Sequence, residues 1–102
     1  NNNLQIDGTL EEVNNPYPID KKFEAFNFHV INVEDGHDFT QLASAFAEAR
    51  ATKGMPTVII CQTLKGKGIS FMENKAVWHG KAPNAEEYEA AMEELERIDE
   101  TL

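Results

Sequence analysis

Two stretches of this sequence hold residue types that can do chemistry. The first is Asn1-Asn2-Asn3-Leu4-Gln5-Ile6-Asp7-Gly8. A neutral Asn amide oxygen is a good ligand for a hard cation such as Mg²⁺, and an irregular backbone can turn a carbonyl toward the same ion. The same residues also suit a plain polar turn, because Asn is a turn former. The second stretch runs from Thr63 to Pro83 and contains Lys65-Gly66-Lys67-Gly68 and Trp78-His79-Gly80-Lys81. Glycines let backbone N–H groups approach phosphate oxygens, and lysines add positive charge. His79 can donate to a phosphate or shuttle a proton near neutral pH. The lysine–glycine run is not a Walker A loop, which needs G-x-x-x-x-G-K-[ST]. A flexible basic surface loop explains it equally well. The other polar singles read as structural. His37 precedes a helix cap, His29 lies in a strand, and Cys61 reads as a small buried hydrophobe with no activating base near it in sequence.

The elements that must position these residues follow from periodicity. Residues 1–6 read as the end of a strand entering a loop at Asp7-Gly8, and 14–18 (NNPYP) as a second extended, punctuated stretch. A short helix begins at Asp20, with Phe23 and Phe26 facing inward and Asn27 taking a left-handed cap. Phe28–Val33 is strand-like. Asp38 and Gln41 have capping-box spacing, and the following helix places Phe39, Leu42, Ala43, Phe46 and Ala47 on one face before ending near Gly54. Pro56–Cys61 is a continuous apolar run, the pattern of a parallel strand buried on both faces. Roughly twenty residues then pass without helix or strand pattern, which in a compact domain points to a functional lid or a disordered loop. Asn84 and Glu87 start a last amphipathic helix carrying Tyr88, Met92, Leu95, Ile98 and Leu102. Strands alternating with helices imply an α/β fold with a doubly wound, mostly parallel sheet in three layers.

Composition sets the outer bounds. The chain has 102 residues, 41% of them hydrophobic, with 18 acidic side chains against 9 basic ones for a net charge of −9. A disordered polar tract, a collagen-like repeat and a disulfide scaffold are excluded, the last because Cys61 is the lone cysteine. No apolar run approaches the roughly 20 residues that span a bilayer, so no membrane partner is expected. The acid excess argues against nucleic acid. That excess is uneven. Residues 84–102 hold eight acids against Arg97 alone, a net −7, and are read as a solvated outer face whose apolar stripe docks inward. Residues 64–83 hold Lys65, Lys67, Lys75 and Lys81 against Glu73 alone, a net +3.

Four segments together resemble transketolase, in the region of that family that binds thiamine diphosphate. They are NNNLQIDG (1–8), KKFEAFNFHVINVEDGHD (21–38), PTVIICQTLKGKG (56–68) and FMENKAVWHGKAPNAEEY (71–88). The resemblance is strongest to the split bacterial form, where this region belongs to a separate N-terminal subunit. The combination KGKGISFMEN followed by WHGKAPN is its most specific part. By this resemblance Asn2 matches the Asn that closes the family's cofactor motif and ligates a divalent metal, Mg²⁺ or Ca²⁺. Leu4 matches the position whose backbone carbonyl joins it and which lies at the cofactor. Ile6 matches an apolar residue near the thiazolium ring. His79 matches a histidine that reaches the cofactor's diphosphate and the substrate side, in a catalytic as well as a binding role. Asn27 stands where the family commonly has Gly.

The resemblance implies an enzyme, a cytoplasmic transferase of the pentose phosphate pathway that passes a two-carbon ketol unit from a ketose phosphate to an aldose phosphate. Residues 1–102 are expected to form the C-terminal part of a diphosphate-binding domain, with loop 64–83 and the terminal acidic helix 84–102. The family motif's opening Gly-Asp-Gly and the activating glutamate are not among these residues. The expected partners are therefore a C-terminal subunit with the pyrimidine-binding domain and a second copy of this subunit, in a heterotetramer, and the chain alone is expected to be inactive. A sibling such as deoxyxylulose-phosphate synthase is the rival enzyme. A non-catalytic α/β module that binds a phosphate ligand or a protein is the rival outside enzymes.

Overall fold

The computed structural model describes residues 1–101, arranged as two compact units. Leu102, expected on the last helix, lies outside the described residues. The first unit comprises Asn1 and residues 14–63. It is a βαβ arrangement of β3 (His29–Val33), α3 (Phe39–Ala51) and β4 (Thr57–Cys61), preceded by α2 (Ile19–Ala25). β3 and β4 pair in parallel, with His29 opposite Thr57 and Val33 opposite Cys61. Ile31 and Val33 share one face of β3 and close with Ala45 of α3 into a small core, flanked by Leu42, Ala49, Ile59 and Cys61. Asn32 and Ile60 point the other way and line a cleft with Ile19 and Asp20 of α2. The α/β class with a parallel sheet therefore holds.

Several local expectations meet a different outcome. β1 (Leu4–Gln5) does not join the parallel sheet. It turns back through Ile6-Asp7 and pairs antiparallel with β2 (Gly8–Thr9), Leu4 opposite Thr9. The expected turn is present but starts one residue earlier, which makes a two-residue hairpin. Phe26 is 78% exposed rather than inward, because it is the C-cap residue, where the backbone has left the helix. Phe28 instead meets Phe23 edge-on, with ring centres 5.2 Å apart. Asn27 does take the left-handed conformation, at φ 62°. On α3 the buried stripe is Leu42, Ala45 and Ala49, while Phe39 is 86% exposed. Two stripes with helical spacing coexist on α3, and the sheet accepts the one with small side chains. In β4 only Ile60 is buried, so that strand is covered incompletely.

The second unit comprises residues 2–13 and 64–101 among those described. It holds the β1–β2 hairpin, α1 (Leu10–Asn14, up to Val13), a 3-10 turn (Ala76–His79) and α4 (Ala85–Asp99). The sequence reading missed α1, although Thr9 and Glu12 have capping-box spacing. Thr9 Oγ1 accepts from the Glu12 N–H at 3.2 Å, and Glu12 Oε2 accepts from the Thr9 N–H at 3.1 Å. α4 starts on the expected box, with Asn84 and Glu87 capping each other. Its apolar stripe does not dock fully: Ala91 is buried, but Tyr88, Met92, Leu95 and Ile98 are exposed. No described helix is long and apolar enough to cross a membrane.

Candidate functional site

Asn2, Leu4, Ile6 and His79 all fall in the second unit. Asn2 precedes β1, Leu4 opens it, and Ile6 sits at the hairpin tip with 64% of its surface exposed. The 3-10 turn that ends in His79 lies against β1. The His79 side chain is exposed. Asn3 bends the chain between Asn2 and Leu4 with a left-handed φ of 59°, a conformation Asn tolerates, and its carbonyl accepts the Leu10 N–H at 3.0 Å. The Asn2 amide oxygen accepts the Leu4 N–H at 3.0 Å. This pins the carboxamide beside the Leu4 peptide and leaves its oxygen a second lone pair.

The span 64–83, expected to lack regular structure, is a series of hydrogen-bonded turns followed by the 3-10 turn. Gly66 sits at φ 74°, and a Cβ there would come within 2.7 Å of the Met72 carbonyl oxygen. The Asn74 N–H reaches the Lys65 carbonyl at 2.9 Å, and Glu73 accepts the Gly68 N–H at 3.0 Å. Trp78 donates through Nε1 to the Phe71 carbonyl at 3.2 Å, and its ring packs on Phe71 at 5.7 Å. Lys81 Nζ sits 4.2 Å from the Trp78 ring centre and pairs with Glu87 at 2.8 Å. The Lys81 ammonium, aided by the Asn84 N–H, holds the Glu87 carboxyl below its ordinary range. The signals for these contacts, a Glu at the helix start and a Trp-x-x-Lys pair, are visible in the sequence, but their meeting is a matter of three-dimensional folding.

The other polar singles stay outside this arrangement. His29 Nε2 lies 2.8 Å from Glu48 Oε1, joining β3 to α3. The backbone N–H of His37 donates to Asp35 at 2.9 Å, a turn contact. Cys61 is a free, half-buried thiol packed beside the core. Among the described residues, no group of three or more His, Cys, Asp and Glu side chains is placed to hold a metal ion.

Comparison with known proteins gives these features a context. The family model described as "Transketolase, thiamine diphosphate binding domain" matches residues 1–98. The chain is 40% identical over 96 residues to a 6-deoxy-6-sulfo-D-fructose transketolase subunit of Clostridium sp. strain MSTE9, covering 94% of this chain and 34% of that protein. It is 38% identical over 99 residues to an apulose-4-phosphate transketolase subunit of Phocaeicola vulgatus, covering 96% of this chain and 35% of the relative. The chain thus spans about a third of the length of these relatives. The crystal structure of transketolase from Campylobacter jejuni superposes with a TM-score of 0.80 at 29% identity, over 90% of this chain and 14% of that one. With a family match across nearly its whole length, the chain belongs to the transketolase family, within its thiamine diphosphate binding domain.

Proposed function

We propose that this chain is part of a transketolase that moves a two-carbon ketol unit from a ketose phosphate to an aldose phosphate. The family match over residues 1–98 carries the reading. When bound, thiamine diphosphate supplies the carbon nucleophile and the electron sink for that transfer. This chain contributes binding and proton handling. Asn2 through its side-chain oxygen and Leu4 through its carbonyl are the residues to hold Mg²⁺ or Ca²⁺. Both are neutral oxygen donors, which suits a hard cation but falls short of its six to eight ligands. The remaining oxygens would come from other groups at the site. Leu4 and Ile6 border the cofactor. His79, exposed at the end of its turn, donates to the diphosphate and carries a proton on the substrate side.

The same reading assigns the partners. Two relatives are named as transketolase subunits, which supports a division of the enzyme between chains. The partner is a C-terminal subunit with the pyrimidine-binding domain, and two copies of each form a heterotetramer in the cytoplasm, working in the pentose phosphate pathway. Those relatives are named for different sugars, so the proposal stops at ketol transfer between sugar phosphates. The test is an assay of the full gene product assembled with its partner subunit, given thiamine diphosphate and Mg²⁺. Ketol transfer from at least one of a panel of ketose phosphates is expected, and none across the panel would overturn the reading. The 102-residue chain by itself is expected to show no transfer.

A further inference from the structure

The acid-rich α4 and the basic loop belong to the same unit, and two carboxylates of the helix are spent on that loop. Glu94 accepts the Ser70 hydroxyl and the Ser70 N–H, each at 2.6 Å. Those two bonds, the hydroxyl first, hold the Glu94 carboxyl below its ordinary range. Seven residues earlier, two helical turns toward the start of α4, Glu87 takes Lys81 at 2.8 Å. Around Ser70 the loop closes on itself, with Gly66 close against Met72 and the Gly68 N–H donated to Glu73. Gly68 also faces Leu95 and Ile98, with room for a Cβ at only 3.5 Å from Ile98.

We propose that Glu94 is a positioning residue for the lysine–glycine turn, holding Lys65 to Gly68 in the form that receives a diphosphate. The inference rests on the thiamine diphosphate function proposed above, with the glycines and lysines of residues 65–68 as the groups that meet its phosphates. Electrostatics and positioning make opposite predictions. Glu94 is an acid close to a loop that receives an anion, so deleting its charge alone would tighten anion binding. If Glu94 instead keeps the loop in its receptive form, deleting it lowers that form's population and weakens binding in proportion.

The experiment uses the full assembled enzyme and magnesium pyrophosphate as the probe, with hydrogen exchange of residues 64–75 read in the cofactor-free protein. Glu94→Gln keeps the shape of the side chain and is expected to weaken pyrophosphate binding roughly fivefold to tenfold and to speed exchange across the loop. Ser70→Ala is expected to act in the same direction with a smaller effect, and to add nothing in the Glu94→Gln background. It also keeps the test open should Glu94→Gln fold poorly, which exchange within α3 reports. Lys65→Met separates the inference from the reading beneath it. If Lys65→Met weakens pyrophosphate binding while Glu94→Gln leaves it equal or tighter, the loop binds the anion and the positioning role is overturned. If Lys65→Met has no effect, the diphosphate reading of the loop falls, and the inference with it.

Discussion

The two units are built by different means. The first relies on a regular ladder between β3 and β4 and on the few side chains closed between that sheet and α3. Among its described residues the second has one two-residue hairpin for a sheet and one buried residue, Ala91. Its order comes from side chains that bond to backbone: Asn2 to Leu4, Glu73 to Gly68, Trp78 to Phe71, Glu94 to Ser70. All four residues proposed for the cofactor and metal lie in this second unit. Regular structure can be laid down by periodic burial, whereas irregular backbone that offers its N–H and C=O groups to a ligand must be held piece by piece. One unit is framework, and the other holds the residues proposed for the chemistry.

This contrast can be broken by substitutions that cross it. The largest effect is expected from His79→Ala in the assembled enzyme: kcat falls by about a hundredfold or more, the range for a lost proton-transfer group. Thermal unfolding should barely move, since the side chain is exposed. A large fall in Tm with little change in turnover would erase the distinction. Ile31→Ala makes the opposite cut. Ile31 is 7% exposed at the centre of the first unit's core, and its truncation should cost about 2–4 kcal/mol in chemical denaturation. The KM for the cofactor should hold in the fraction that stays folded.

Gly66→Ala probes the irregular unit's backbone. Its positive φ and the Met72 carbonyl at 2.7 Å leave no room for a methyl group, so about 1–3 kcal/mol of local strain is expected. Faster hydrogen exchange confined to residues 64–75 would report it. A smaller change is expected at Asp38, whose carboxyl is held below its ordinary range by the N–H groups of Gln41 and then Thr40. A depressed carboxyl pKa contributes stability that is full above the ordinary carboxylate range and is lost as pH falls through the lowered value. Asp38→Ala should therefore lower Tm near neutral pH and leave a flatter acid limb, with the difference from the parent vanishing in strong acid. The smallest effect belongs to Asn27→Gly. At φ 62° glycine carries no Cβ penalty, and a gain of a few tenths of a kcal/mol is expected by denaturation.

Much of the regular structure was legible in the sequence, because caps and apolar runs act locally. Asp38, the Asn84–Glu87 box, the apolar run ending at Cys61 and the left-handed Asn27 all appear where their residue types place them. What sequence missed depends on competition between equal patterns. On α3 the phenylalanines and the alanines both repeat at helical spacing, and the closeness of the sheet decides for Ala45. Near the site, spacing alone left Asn1–Gly8 open between a ligand loop and a polar turn. The packing of the 3-10 turn against β1 joins residues about seventy positions apart, which no local window contains.

The uncovered rings of the first unit have a colloidal consequence. Phe26 on the end of α2 and Phe39 and Phe46 on α3 are 78%, 86% and 51% exposed. Handled by itself, this polypeptide presents sticky aromatic surface that only mutual repulsion keeps apart, and the repulsion comes from a net charge of −9. Salt at physiological strength shortens the reach of that repulsion to about 8 Å. Clarity of a concentrated preparation is thus expected at low ionic strength, with light scattering rising as salt is added. The acid-rich helix, valued above for where it holds a loop, would also be what keeps the material in suspension.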